Sequence, residues 1–234
     1  MSEKTGCLIC GNDLEYFDKE KKVDCFYCGE SFETLVTCKD GHFVCNKCHS
    51  LYGDELIFKT CVKSKEKDPL KIAFKLMKNP KIKMHGPEHH FLVPAVLITA
   101  YYNTLEKFDE KESALNKARK RSEKILGGFC GSHGVCGAAV GTGIFISIIT
   151  NANPLSEKEW KLSNKITAKS LEKIAYYGGP RCCKRNTILA IIGAVVFVKE
   201  KFDIEIPVDK NILCEFSDLN KECIKEKCPF YPYS

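Results

Sequence analysis

No stretch of this sequence is apolar for long enough to cross a bilayer. The longest, Ile188 to Val198, is about half the required length, and Lys184, Arg185, Lys199 and Lys201 bracket it. A buried core helix is expected there, with no membrane segment. The N-terminal MSEKTGCLICG has no apolar segment of the signal-peptide kind, so a cytoplasmic protein with reduced thiols is expected. Long basic blocks are missing too. The net charge of +6 is spread as lysines interleaved with glutamates, in KEKK, KSKEKD, KFDEKES and KEKCP. This is mostly a solvated surface, which permits RNA or an acidic partner without demanding either. No internal repeat of fixed period occurs, which excludes solenoids and arrays.

Cysteine, by contrast, is abundant, at 15 residues. The odd number and the reducing compartment argue against a disulfide framework and for thiols that hold metal. The hydrophobic content of 44% over 234 residues is enough for one good core.

Cysteine spacing and periodicity separate three zones and predict a mainly α protein. Residues 1–61 are polar and punctuated by Cys and Gly. Their apolar fragments suit short β-hairpins but not a core, so metal must hold this small zinc-ribbon-like β domain together. Residues 62–205 read as a helical bundle. An amphipathic helix carries Leu70, Ile72, Ala73, Leu76 and Met77 and closes before Pro80. Pro87 opens a second helix to Tyr101, with Pro94 a kink, and a charged third helix covers about 110–126 with Gly127-Gly128 as its C-cap signal. A fourth starts near Gly137. Ser156 and Glu159 suggest a capping box for a fifth, and a sixth, apolar around most of its circumference, runs from about Lys184 to Phe202. Residues 206–234 form an irregular, cysteine-containing tail that needs the bundle to dock on.

Cys7-Leu8-Ile9-Cys10-Gly11 and Cys25-Phe26-Tyr27-Cys28-Gly29 are knuckles whose two-residue spacing lets both sulfurs face one ion. Together they can close a four-thiolate zinc site like that of a zinc ribbon. Cys38, His42, Cys45 and Cys48 follow at once, with Cys61 an alternative to His42. Pairing is either sequential or crossed, as in a cross-brace finger. Closed sites of this kind are structural, so this zone suits recognition or docking.

Within the helical zone, the glycine-rich run from Gly127 to Gly141 brings Cys130 and Cys136 to a helix start. Gly178-Gly179-Pro180-Arg181-Cys182-Cys183 repeats the device. Amide hydrogens, the helix dipole and Arg181, Lys184 and Arg185 are expected to favour thiolates there. Cys130, Cys136, Cys182 and Cys183 can hold an iron–sulfur cluster or act as a reactive dithiol, with His133 and Arg181 as proton-handling partners. His89, near Glu88 at the second helix start, is either a cap-region residue or an acid/base facing the thiols. Cys214, Cys223 and Cys228-Pro229 offer three more ligands, the fourth coming from Cys61 or a core cysteine.

GGFCGSHGVCGAAVGTGIF, GGPRCCKR and NKECIKEKCPF together resemble a family of cysteine-rich proteins of archaea and anaerobic bacteria known only as a domain of unknown function. The likeness covers about residues 60–230 and implies no activity. More loosely, Cys136-Gly137-Ala138-x-x-Gly141 is similar to the signature of a redox-active helical family. Iron–sulfur serine dehydratases and cysteine desulfidases also combine helical domains with Gly/Cys loops. The vicinal cysteines and the tail triad depart from both patterns, so no residue role carries over.

The expectation is a metal-thiolate protein working in redox or sulfur transfer, or as a lyase on a small thiol or hydroxy compound, with an electron-transfer or other protein partner. Its rival is a non-catalytic zinc adaptor that binds RNA or a protein, with Phe26, Tyr27 and Phe43 available for stacking.

Overall fold

Alternation along Ser31–Cys38, where Phe32, Thr34, Val36 and Cys38 turn to the less exposed face, makes a strand of the segment between the two cysteine-rich turns. This strand, β2, pairs antiparallel with β1 (Leu14–Asp24) from Leu14↔Cys38 to Asp24↔Ser31, with a bulge between Tyr16 and Lys21. A computed structural model of the chain describes residues 6, 7, 9, 10, 12–26, 29–209 and 211–233, with the backbone alone for 47–52. Cys28 and the side chain of Cys48, both expected ligands, lie outside the described residues.

The chain forms two compact units, Met1–Tyr52 and Gly53–Ser234, with the division between Tyr52 and Gly53. A helix not expected from the sequence, α1 (Asn46–Lys63), runs through it. Its second half buries Ile57 and Cys61, one helical turn apart, in the core of the second unit. The cysteine spacing masked that periodicity.

The second unit is helical. Asp68 caps α2 (Pro69–Met77) by accepting from the Leu70 and Lys71 amides. In α3 (Glu88–Thr104), ten consecutive residues from Phe91 to Ala100 are buried, Pro94 among them. A helix apolar on every face must be central. Accordingly, α3 packs against α2, α4 (Phe108–Ser122), α6 (Gly137–Ile149) and α8 (Cys183–Phe202). Between α4 and α6 lies one short helix, α5 (Phe129–Ser132). Gly128 precedes it at φ 86°, so the glycine pair starts α5 rather than capping α4. The small residues of α6 admit helices: a Cβ on Gly141 would stand 2.8 Å from Pro94 Cδ of α3, and one on Gly143 would collide with Thr167 of α7 (Lys158–Tyr177). The expected capping box of α7 does not form, because Ser156 Oγ accepts from the Asn153 amide instead.

Among its described residues the tail has two single-turn 3-10 segments, Ser217–Leu219 and Lys225–Lys227. It folds onto the helices by burying Ile206, Phe216, Cys228 and Phe230 in their core, and Phe216 stacks on Phe74 at 5.9 Å. No helix among the described residues is long and apolar enough to cross a membrane.

Candidate metal and thiol centres

In the N-terminal unit, Cys7, Cys10, Cys38 and His42 come together. Their ligand atoms all lie within 4.8 Å of one another, and Cys10 Sγ is 3.8 Å from Cys38 Sγ. The Ile9 amide donates to Cys7 Sγ and the His42 amide to Cys38 Sγ, turns that aim backbone N–H groups at sulfur. Burial pushes the Cys7 thiol up, but amides of Cys10 and Ile9 and the neighbouring thiols outweigh it and hold it below its usual range. Cys10 has the Asn12 amide in its favour, yet burial, Cys7, Cys38 and Asp40 push it up to about 11. One thiolate is thus stabilised at its neighbour's expense, and a divalent cation relieves that conflict by replacing the protons. Three sulfurs and one imidazole at this spacing fit a tetrahedral site.

Of the sequential and crossed pairings, this grouping is the crossed one, with Cys38 and His42 rather than Cys25 beside Cys7 and Cys10. Cys25 instead accepts from the Cys45 amide at 3.3 Å, and the Phe26 amide donates to the Phe43 carbonyl. The pattern of pairs was visible in the sequence, but the partner of each pair was set by the hairpin register that brings Cys38 opposite Leu14. Cys61 belongs to neither group. It is fully buried, pushed up to about 12 by burial, with Thr99 and Lys111 as neighbours.

In the helical unit the two glycine-rich loops reach the same end of the bundle. Cys136 and Cys182 are the N-cap residues of α6 and α8. Asn186, in the first turn of α8, donates to Cys136 Sγ at 3.4 Å. Cys183 feels the charge of Cys136, and Cys136 that of the exposed Cys130. The vicinal pair divides its attention: Cys182 is influenced by Cys214 and Cys228 of the tail, whereas Cys183 has the Gly86 amide, Arg181 and Cys136 around it.

The expected thiolates are not stabilised by this environment alone. Burial pushes Cys182 up to about 11 and Cys183 to about 12, against the opposing Arg185 and Gly86 amides and the Arg185 and Arg181 charges. Burial also raises Cys136, despite the Ala138 amide, Asn186 and the Ala139 amide. Desolvation outweighs the helix-end field even though the Arg185 and Arg181 charges act on these thiols, and both α8 cations also spend donors on carbonyls. Lys184 Nζ donates to the Met77 carbonyl at 2.6 Å and the Ile82 carbonyl at 3.2 Å. Arg185 Nη2 donates to the Gly178 carbonyl at 2.6 Å.

His89 does not face the thiols. A carbonyl only accepts, so His89 Nε2 donates to the Lys83 carbonyl at 3.0 Å and Nδ1 accepts from the Thr187 hydroxyl at 3.0 Å. Burial lowers its pKa to about 4, which favours a neutral imidazole with both ring nitrogens engaged away from the thiols. Glu88 is likewise buried, accepting from the Lys83 amide at 2.7 Å. His133 is exposed, with its ring on Phe129 and its Nδ1 at Ser132 Oγ, so its contacts give it no thiol partner. Arg181 is exposed, and its charge reaches His85 and Cys183. Sequence reasoning missed Asn186. Its place three residues after Cys183, on the α8 turn that the loop presents, was the available signal.

The fold and these thiols define a mainly helical, cysteine-rich protein with a candidate metal centre in a separate small unit. The sequence model of a family of unknown function, DUF5714, matches residues 57–231, and the chain belongs to that family. The match spans the helices and tail, not the Cys7, Cys10, Cys38 and His42 group. No curated protein and no solved structure matches the chain.

Proposed function

We propose that the helical unit works in electron or sulfur transfer through an iron–sulfur cluster or reactive dithiol at the end of the bundle where the two glycine-rich loops meet. The N-terminal unit is read as a zinc-stabilised docking module for a protein partner. The observation that carries this reading is the meeting of Cys136 with the first turn of α8 through Asn186. Two loops far apart in sequence deliver thiols to one place, an arrangement a purely structural bundle does not need. The exposed Cys130 is the entry point for a partner, and Arg181, at the surface beside Cys183, is suited to attract an acidic one. An iron–sulfur centre here would take one electron from a reduced carrier and hand it to an acceptor.

The test is metal and sulfide analysis of full-length protein purified without oxygen, together with thiol alkylation after reduction and after mild oxidation. Iron with a visible charge-transfer band, or reversible protection of Cys136 and Cys183, is the expected result. Protein with neither property overturns the proposal.

A second reading, a zinc adaptor for RNA or protein, draws on the exposed rings of Tyr16 (66% exposed) and Phe26 (57%) in the N-terminal unit. It requires salt-dependent RNA or protein binding that a Cys182→Ser/Cys183→Ser variant retains.

A further inference from the structure

The vicinal cysteines serve different neighbourhoods, and Cys182 is the one that feels the tail thiols Cys214 and Cys228. The tail is laid on the first turn of α8: Lys184 Nζ stands 4.3 Å over the Phe216 ring, two residues beyond Cys214. His85 Nε2 donates to Asn220 Oδ1 and Glu222 Oε2, both at 3.2 Å. The Cys214 amide donates to the Phe230 carbonyl at 2.6 Å, which closes the tail into a loop and draws Cys214 toward Cys228. Cys182 feels Cys214 and Cys228, and Cys223 acts on both of those.

Each sulfur is met by a backbone donor. The Arg185 amide reaches Cys182 Sγ, the Phe216 amide Cys214 Sγ and the Lys225 amide Cys223 Sγ, all at 3.4 Å. The Phe230 amide serves Cys228. Amides aimed at sulfur suit thiolates that hold metal. The spacing separates this set from the N-terminal one. A single tetrahedral ion holds its sulfurs about 3.8 Å apart, given metal–sulfur bonds of about 2.3 Å. The N-terminal group meets that spacing, and among the described residues no other group does. A cuboidal cluster holds its thiolates wider, because an iron and its sulfides stand behind each one.

Arg185 provides the independent sign of a ligand. Its side chain is 3% exposed; Nη2 and Nε have partners in Gly178, Pro180 and Asn186, but Nη1 is buried with none. Its charge acts on Cys182 and Cys228. A buried guanidinium N–H without an acceptor is costly, and a sulfur-rich anion beside it would supply one.

We propose that Cys182, Cys214, Cys223 and Cys228 ligate one cuboidal iron–sulfur cluster, and that Arg185 Nη1 donates to one of its sulfurs. This assignment rests on the iron–sulfur form of the proposed function and adds its ligand set. Cys183, Cys136 and Cys130 are left as thiols beside the cluster. Arg185 is a positioning residue that also tunes the cluster: its positive charge favours the more negative, reduced state and raises the midpoint potential.

The full-length chain, reconstituted anaerobically with iron and sulfide, tests this. Wild type is expected to bind about four irons per chain. Cys214→Ser and Cys223→Ser are expected to lose most of that iron, while Cys130→Ser and Cys136→Ser keep it. Arg185→Gln should keep iron but shift the midpoint potential downward, with Arg185→Lys close to wild type. Should Arg185→Gln fail to fold, the cysteine series decides the ligand set and Arg185→Lys reports on the charge. Iron bound by wild type and equally by Cys214→Ser and Cys223→Ser overturns the ligand assignment alone. Wild type without iron overturns the iron–sulfur reading itself. An unchanged potential in folded Arg185→Gln removes the role of Arg185.

Discussion

The two units bury cysteine for opposite reasons. In the N-terminal unit the buried apolar side chains among the described residues are Cys7, Cys25, Cys38 and Cys45, while Phe32, Val36 and Phe43 are only half-buried. Sulfur stands where a core would be, and a metal bound there would contribute folding free energy. In the helical unit Phe91, Leu92, Leu97, Phe145, Ile188 and Phe197 are almost completely buried, so aliphatic and aromatic side chains make up most of a core in which Cys61, Cys182 and Cys228 also take part.

Metal removal should break this comparison most sharply. Chelation, or Cys38→Ser, is expected to unfold residues up to about Tyr52, since structural zinc contributes about 10–16 kcal/mol in small domains. The helical signal in circular dichroism should persist, while limited proteolysis shows the N-terminal unit digested. Simultaneous loss of both would mean that the helical core is not independent.

Phe91→Ala or Phe145→Ala should do the reverse, costing about 3–5 kcal/mol in urea melts of the helical unit. Metal content at the N-terminal group should stay unchanged.

Acid should act on the helical unit through its histidines. Burial brings His89 from the usual 6.5 down to about 4, and burial lowers His85 and His90 as well. The unfolded chain therefore takes up protons on acidification that the folded chain refuses. Stability is full above pH 6.5 and falls as pH drops toward 4, with His89 accounting for about 2 kcal/mol at pH 5. Urea midpoints at pH 7 and pH 5 measure the slope, and His89→Gln should flatten most of it.

The smallest effect is expected at Asp68, which caps α2 and also accepts from the Asp209 amide of the tail. Asp68→Ala should lower the urea-melt stability of the helical unit by about 1 kcal/mol. A loss several-fold larger would show that the tail contact, rather than the cap, dominates.

Most helices were legible because each has a local cause. Leu70, Ile72, Ala73, Leu76 and Met77 repeat at helical spacing behind an aspartate cap, and Pro87 opens α3. The Gly loops delivering Cys136 and Cys182 to helix starts were legible for the same reason. Misreadings arose where a local signal competes with a partner elsewhere. The α1 helix was hidden by cysteine spacing, and Ser156 spends its hydroxyl on Asn153 instead of a capping box. His89 looked poised beside the thiols, but Lys83 and Thr187 turn it into the core.

The sequence by itself determined a small cysteine-held unit ahead of a helical one, the presentation of thiols at two helix starts, and a tail with too little apolar surface to fold alone. These follow from short-range spacing, apolar periodicity and composition, which any window of the chain displays. Tertiary structure alone decided that Cys38 and His42 join Cys7 and Cys10, that Cys182 turns to the tail while Cys183 turns to Cys136, and that burial prevails over the helix-end charges. Such pairings join residues tens of positions apart, and the cost of burying a thiol depends on everything packed around it.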